Sequence, residues 1–211
     1  MISMFKKVMP FVAMLLLGAS VAQAEDIKPT TVQDPRSVIE TTVTAIIEVL
    51  KQRADTTKLS EVDRMAIRDV ITGKFDYAEM SRRSVGRDWD DQSSENQAAF
   101  TETFRDLMER SYGNRLAGYN GQVITYDDAE FKNDVARVKT YVTDSSKTTP
   151  VNYRLHQTPE GWQVYDIKIE GVSLVSTFRE DFKSVLRKDG FKGLLDTLKT
   201  KVDKMKADDA A

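Results

Sequence analysis

The feature that most constrains this chain is residues 162–182, WQVYDIKIEGVSLVSTFREDF, a strand that passes through a glycine straight into an amphipathic helix. Period two over 162–169 sets Gln163, Tyr165, Ile167 and Ile169 on one face and Trp162, Val164, Asp166 and Lys168 on the other. Both faces therefore carry apolar side chains that need cover. Beyond Gly171 the period becomes helical: Leu174, Val175, Phe178, Phe182, Val185 and Leu186 share one stripe, with Arg179, Glu180 and Lys183 outside it. Such a helix is aimed across the sheet that holds the strand. The stretch has no nucleophile, metal cluster or phosphate loop, so it reads as a cavity wall rather than an active site.

The rest of the chain divides cleanly by period. Residues 37–51 form a helix with Val38, Thr42, Ala45, Ile46, Val49 and Leu50 inward, capped by Asp34 or Ser37. A second helix from about residue 60 turns Val62, Met65, Ala66, Val70 and Ile71 inward and stops at Gly73; a short one covers 76–83. A long helix over 93–117 buries Phe100, Phe104, Leu107, Met108, Ser111 and Leu116. Four runs rich in Val, Ile, Tyr and Thr follow, at 122–126, 134–143, 150–157 and 162–169, separated by DDAEF, DSSKT and TPEG turns. They make an antiparallel meander. Two helices close the chain, one from about Ser173 and one from Gly190 to about Met205. The fold class is therefore α+β: a four-stranded, twisted antiparallel sheet covered by helices, an NTF2-like cone with an apolar cavity.

Residues 1–24 read as a cleaved signal peptide, with Lys6 and Lys7 ahead of an apolar run and Ala22-Gln23-Ala24 as the cleavage pattern. That run falls short of the ~20 residues needed to cross a bilayer. With no Cys in the chain, a lipoprotein anchor, disulfides and thiolate chemistry are excluded. Residues 25–36 form a polar leader, 37–207 a single domain and 208–211 a frayed tail. The chain has 31 Lys and Arg against 33 Asp and Glu, and cleavage of the signal peptide removes two of the bases. That balance does not call for nucleic acid as a partner.

Candidate chemistry is sparse. His156, the only histidine, has the outward parity of its strand and reads as solvated surface. Without His or Cys partners it builds neither a serine triad nor a zinc site. Asp166 is a buried acid: a general base in an apolar cone, or a carboxylate that locks the sheet by bonding backbone or an Arg. Asp76 reads as a helix cap. Arg82, Arg83 and Arg87 gather around Gly86, which suits an oxyanion or an acidic partner surface, or simple surface pairing with Glu79, Asp88 and Asp90. No catalytic set, metal or cofactor is expected.

Three segments, FDYAEMSRRSVGRDWDDQ, FTETFRDLMERSYGNRLAGYNGQ and WQVYDIKIEGVSLVSTFREDF, resemble the MlaC family of periplasmic phospholipid-binding proteins, also known as toluene-tolerance auxiliary components of an ABC transporter. The most specific pieces are Phe75-Asp76, Met80 with Arg82, Gly86 with Trp89, Phe104, Tyr112-Gly113, Tyr119, and Tyr165-Asp166 with Glu170 to Ser173. Glu95 to Ala98 depart from the Gln-Arg common among relatives at the start of the long helix. The resemblance implies a soluble periplasmic carrier of phospholipid between an outer-membrane lipoprotein complex and an inner-membrane ABC transporter complex with MCE domains. Lipid would then be lined by Val70, Phe75, Met80, Phe104, Leu107, Met108 and Tyr112 from the helices. Val138, Val151, Tyr153, Tyr165 and Ile167 would line it from the strands, and Val172, Leu174 and Phe178 from beyond the glycine. Arg82, Arg83 and Arg87 would contact a partner or the headgroup. The alternatives are a hopanoid carrier, an NTF2-like isomerase or dehydratase with Asp166 or Asp76 as base and Tyr112 or Tyr153 as donor, and a protein-binding scaffold with a solid core.

Overall fold

The computed structural model describes residues 33–210; the expected signal peptide and most of the leader lie outside them. Helix α1 (Pro35–Gln52) starts where Asp34 accepts from the Ser37 amide and Pro35 supplies a preset φ at the first helical position. The domain thus begins inside the expected leader. Helix α2 (Glu61–Ile71) opens on a reciprocal capping box between Ser60 and Asp63. Asp76 caps α3 (Tyr77–Val85) by accepting from the Glu79 amide at 2.8 Å, and a 3₁₀ turn, Gly86–Trp89, leads to α4 (Ser94–Ala117).

The strands are β1 (Val123–Tyr126), β2 (Glu130–Lys132), β3 (Val135–Thr143), β4 (Thr148–Thr158), β5 (Gly161–Ile169) and β6 (Val172–Ser173), followed by α5 (Leu174–Ala210). They form one antiparallel sheet in the order β1-β3-β4-β5-β6, with β2 also on β3. The four strands expected from alternation are joined by two short ones. β2 is three exposed residues, and β6 is two residues that close a turn before the helix; neither is long enough to show a period. At the outer edge of β5, the Asp76 amide donates to the Val164 carbonyl at 2.9 Å and the Val164 amide to Lys74 at 2.8 Å. The start of α3 is thereby tied to the sheet.

One residue reverses the expected facing of β5. Arg154 pairs with Asp166 but Leu155 pairs with Val164, so Tyr165 is the extra residue of a bulge. An unpaired residue shifts parity by one. Trp162 and Val164 therefore share the inner face with Ile167, whereas strict alternation separates them. Tyr165 and Asp166 are left to the other side. Asp166, 3% exposed, accepts from Ser173 Oγ at 2.9 Å and the Val175 amide at 3.3 Å, and sits 3.6 Å from Arg154. This carboxylate fixes the start of α5 against the sheet.

Helix α2 turns inward only part of the face its hydrophobic residues suggest: Ile71 is buried and Ala66 and Val70 are half-buried. Val62 and Met65 are exposed, and Ile67 and Ile71 are buried beside Arg64 and Arg68. The reason is charge. Arg68 pairs with Asp106 and Glu109 of α4, while Arg64 pairs with Asp209, so salt bridges occupy half of the inner stripe. The same Asp209 receives Arg110, and α5 runs on through Ala210 rather than fraying at 208. Helix α5 breaks at Gly190, where φ is 66° and ψ is −172°, into arms 174–189 and 191–210.

Packing falls into three groups. Phe100, Phe104, Phe178, Phe182 and Phe191 meet in stacked, edge-to-face and tilted contacts where α4 crosses α5. Val38 and Ile39 of α1 lie on Val138, Leu155 and Val164 of the sheet. Leu50, Leu59, Ile67 and Ala117 join α1, α2 and α4. Among the described residues no helix is long and apolar enough to cross a membrane.

Candidate functional site

Between these groups the side chains do not meet, and a cavity of about 480 Å³ is left. Its walls follow from local periodicity. On α1 the residues at helical spacing are Val43, Ile46, Ile47 and Leu50; on α4 they are Met108, Tyr112 and Leu116. The floor is the inner face of the sheet: Val151 and Tyr153 of β4, Ile167 and Ile169 of β5, with Ile124 and Val142 nearer the edge. Phe75, Ile67, Ile71 and Leu174 close the remaining sides. The bulge at Tyr165 is what allows Ile167 and Val164 to face the same way.

Tyr153 reports the nature of the space. Burial pushes its phenol well above the ordinary range, with Tyr126 adding to the effect, and the part of its surface left uncovered lies on the cavity wall. It is remote from bulk water and borders a void. Tyr126 nearby is raised to about 12, again mainly by burial. A second recess of about 520 Å³ beside the start of α1 is open and ringed by Asp34, Arg36, Glu40 and Asp128. Its charged lining does not suit an apolar ligand, so the largely apolar cavity is the candidate site.

Polar groups stand at two places on the cavity wall. Arg115, Gly118 and Asp144 are exposed and mark its rim, where Arg115 lies 5.5 Å from the Tyr112 ring centre. Arg64 and Glu109 lie on the α2–α4 side. Glu109 is pushed up by burial, which outweighs the two bonds it accepts from Arg68. Behind the rim, Arg53 donates to the carbonyls of Leu50, Asp55, Thr56, Ala117 and Tyr119, at 2.8 to 3.1 Å. One side chain thus fastens the ends of α1 and α4 together. A lone Arg closing a helix carries no pattern that singles it out in the sequence.

Of the residues named from the sequence, Phe75, Met108, Tyr112, Val151, Tyr153, Ile167 and Leu174 lie on this wall. Met80, Phe104, Leu107 and Phe178 are packed in the solid core behind it, and Val138 lies under α1. Val70 is half-buried off the wall, and Val172 is 61% exposed. Tyr165 faces the other way, its ring against His156 and 4.3 Å from the Arg83 guanidinium. His156 is not free surface but half-buried, with its Nε2 2.9 Å from Asp76 Oδ2. Arg82 and Arg83 both bond Glu79, and neither they nor Arg87 reach the wall. The α1 residues Val43 and Ile47 and the strand residues Ile124, Val142 and Ile169 also lie on the wall, outside the lining expected from the sequence. The helical spacing of 43, 46, 47 and 50 was the available signal.

A helix-covered antiparallel sheet that keeps a largely apolar chamber, with its charged groups at the rim and on the α2–α4 side, defines a cavity protein rather than a solid scaffold. The MlaC protein family model matches residues 40–200, and the chain belongs to that family. It is 31% identical over 98 residues to the toluene tolerance protein ttg2D of Pseudomonas putida, covering 46% of each chain. It is 26% identical over 116 residues to the intermembrane phospholipid transport system binding protein MlaC of Haemophilus influenzae, covering 52% of each. The matched segments thus span about half the length of these curated relatives. A phospholipid-binding protein from Ralstonia solanacearum, solved in complex with a phospholipid, has the same fold: TM-score 0.76 at 24% identity, over 82% of this chain and 99% of that one.

Proposed function

We propose that this protein is a phospholipid carrier that holds acyl chains in the cavity and leaves most of the headgroup at the rim. The observation that carries the reading is the largely apolar cavity built by α1, α4 and the inner face of the sheet. Two acyl chains of about 30 methylenes, at ~0.8 kcal/mol each, mean ~24 kcal/mol of hydration to avoid in transit. The apolar wall supplies protein cover for part of that surface. Family membership and the phospholipid held by the Ralstonia neighbour support the same cargo. The enzyme alternative finds less support, because Asp166 and Asp76 are both engaged in helix starts away from the wall.

In the fuller form of this reading the protein is exported to the periplasm. There it passes lipid between an outer-membrane lipoprotein complex and an inner-membrane MCE-domain ABC transporter complex. The exposed arginines of α3 and the following turn are the proposed partner contact, with Arg87 the least engaged.

The test is to purify the protein from periplasmic extract without adding lipid, extract it with organic solvent and analyse the extract by mass spectrometry. Roughly one diacyl phospholipid per chain is expected, since an apolar chamber of this size is costly to hydrate. A well-folded protein that yields no lipid would overturn the carrier reading, and a yield of hopanoid would change the cargo.

A further inference from the structure

Helix α2 is a thin part of the cavity wall. Arg64, Ile67 and Ile71 border the space on its inner side, while Glu61, Val62, Met65 and Asp69 are exposed on its outer side. A single helix thus separates the chamber from solvent here, whereas the α4 wall is backed by α5. The apolar hold on α2 is slight: its two buried residues are Ile67 and Ile71, and both border the cavity.

What fastens the helix is charge. Glu61, Arg64 and Arg68 fall at i, i+3 and i+7 on one stripe; Glu61 pairs with Arg110, Arg64 with Asp209, and Arg68 with Asp106 and Glu109. The partners do not depend on α2. Arg110 also holds Asp209, Asp106 also holds Lys206 at 2.8 Å, and Glu109 lies 3.4 Å from the Tyr77 hydroxyl. Breaking a buried ion pair is costly when it strands a charge, and here each group left behind keeps a second partner. On α2 itself the charges at the two ends already reach water, with the Glu61 side chain 62% and that of Arg68 34% exposed. Ion pairs that water can replace cost little to open.

The segment is also bounded by two firm points. Before it, Arg53 bonds carbonyls at the ends of α1 and α4. After it, the Asp76 amide donates to the Val164 carbonyl and the Val164 amide to that of Lys74, which ties the chain to β5. Just past α2 stands Gly73, with φ at 72° and no atom within 4 Å of where a Cβ would be, a free pivot.

We infer that residues 54–73 form a gate in the chamber wall. Helix α2 swings outward between the two firm points, giving up its ion pairs while α4 and α5 keep theirs, and lipid enters and leaves through the gap. This rests on the carrier reading and adds the route to it.

Because the chain has no Cys, Met65→Cys on the outside of α2 and Lys199→Cys on the outside of α5 place one pair of spin labels for a pulsed electron-resonance distance measurement. Arg68→Gln, which opens two of the ion pairs, is expected to add a longer-distance population to that of the wild type. In the unlabelled chain it should speed release of a fluorescent phospholipid to acceptor vesicles about tenfold. Glu61→Gln should act in the same direction, about threefold, and keeps the measurement decisive if circular dichroism finds Arg68→Gln unfolded. Leu198→Ala, a cavity in the α5 core away from the wall, controls for general loosening: it should lower Tm and leave release within about twofold. A folded Arg68→Gln or Glu61→Gln with wild-type distances and release overturns the gate, as does a Leu198→Ala that releases lipid as fast as Arg68→Gln. A longer population with unchanged release overturns it too, since lipid then leaves by another route. If wild-type protein takes up no phospholipid, it is the carrier reading that fails, and the label distances still decide whether α2 moves.

Discussion

Arg53 and Leu174 show how differently two buried residues can matter. Arg53 is 9% exposed and satisfies five backbone carbonyls at the ends of α1 and α4. Arg53→Met leaves those acceptors in poor surroundings and is expected to cost about 3 kcal/mol in urea unfolding. Arg53→Lys recovers little of it, because one ammonium cannot reach both helix ends. Leu174 is equally covered and joins the cluster that holds Phe104, but it also stands on the cavity wall. Leu174→Arg is expected to fold, lose co-purified phospholipid and melt only slightly below delipidated wild type, since its long stem can carry the charge toward the rim. The contrast is Phe104→Ala, whose ring meets Phe100, Phe178 and Phe182; it should cost about 3–5 kcal/mol. An insoluble Leu174→Arg would place that residue with Phe104 in the core. Here the sequence was least legible. Periodicity says which side chains point inward, but not whether the inward direction ends on protein or on empty space, so Phe104 and Met108 read alike.

At the scale of elements, the long strands were legible because half-buried strands alternate, and the helices because their caps and stripes agree. What escaped notice was short or charged. Strands β2 and β6 are too brief to show a period, the bulge at Tyr165 adds one residue without any turn signal, and the inner face of α2 is held by Arg64 and Arg68. Charge also binds α3 together. Arg82 bonded to Glu79, with Arg83 reinforcing it against the opposing effect of burial, holds that carboxyl below its ordinary 4.5. As pH falls, the unfolded chain therefore takes up this proton before the folded one does. The stabilisation is complete above about 4.5 and is lost as pH drops through the lowered value. Glu79→Gln should accordingly lower stability at neutral pH and flatten the acid limb of a stability-against-pH curve. A parallel curve, merely displaced, would deny Glu79 that role. In α5 the break at Gly190 lets the second arm return Phe191 and Leu194 to the core. Gly190→Ala should cost about 1–3 kcal/mol, because that backbone region is closed to side chains.

For the whole molecule, the consequence of keeping a chamber is a protein whose stability depends on its cargo. The aromatic contacts between α4 and α5 and the seat of α1 on the sheet are solid, whereas the residues between them contact space on one side. Apolar atoms bordering a void forgo dispersion partners that acyl chains would supply. Lipid that binds the folded chain and not the unfolded one adds stability by mass action, about 2.7 kcal/mol when free ligand is at 100 times its Kd. For a domain of this size 1 kcal/mol moves Tm by about 2–4 °C, so loading should raise Tm by about 5–11 °C. The measurement is calorimetry on delipidated protein before and after reloading with dioleoylphosphatidylglycerol. The cavity reading requires a further result: a bulky substitution on the wall, Val151→Trp, should narrow the gap by filling the space from within. It would raise the melting point of the lipid-free form and lower that of the loaded one. If Val151→Trp instead destabilises both forms equally, the chamber is already filled by protein in solution, and the dependence on lipid must arise elsewhere.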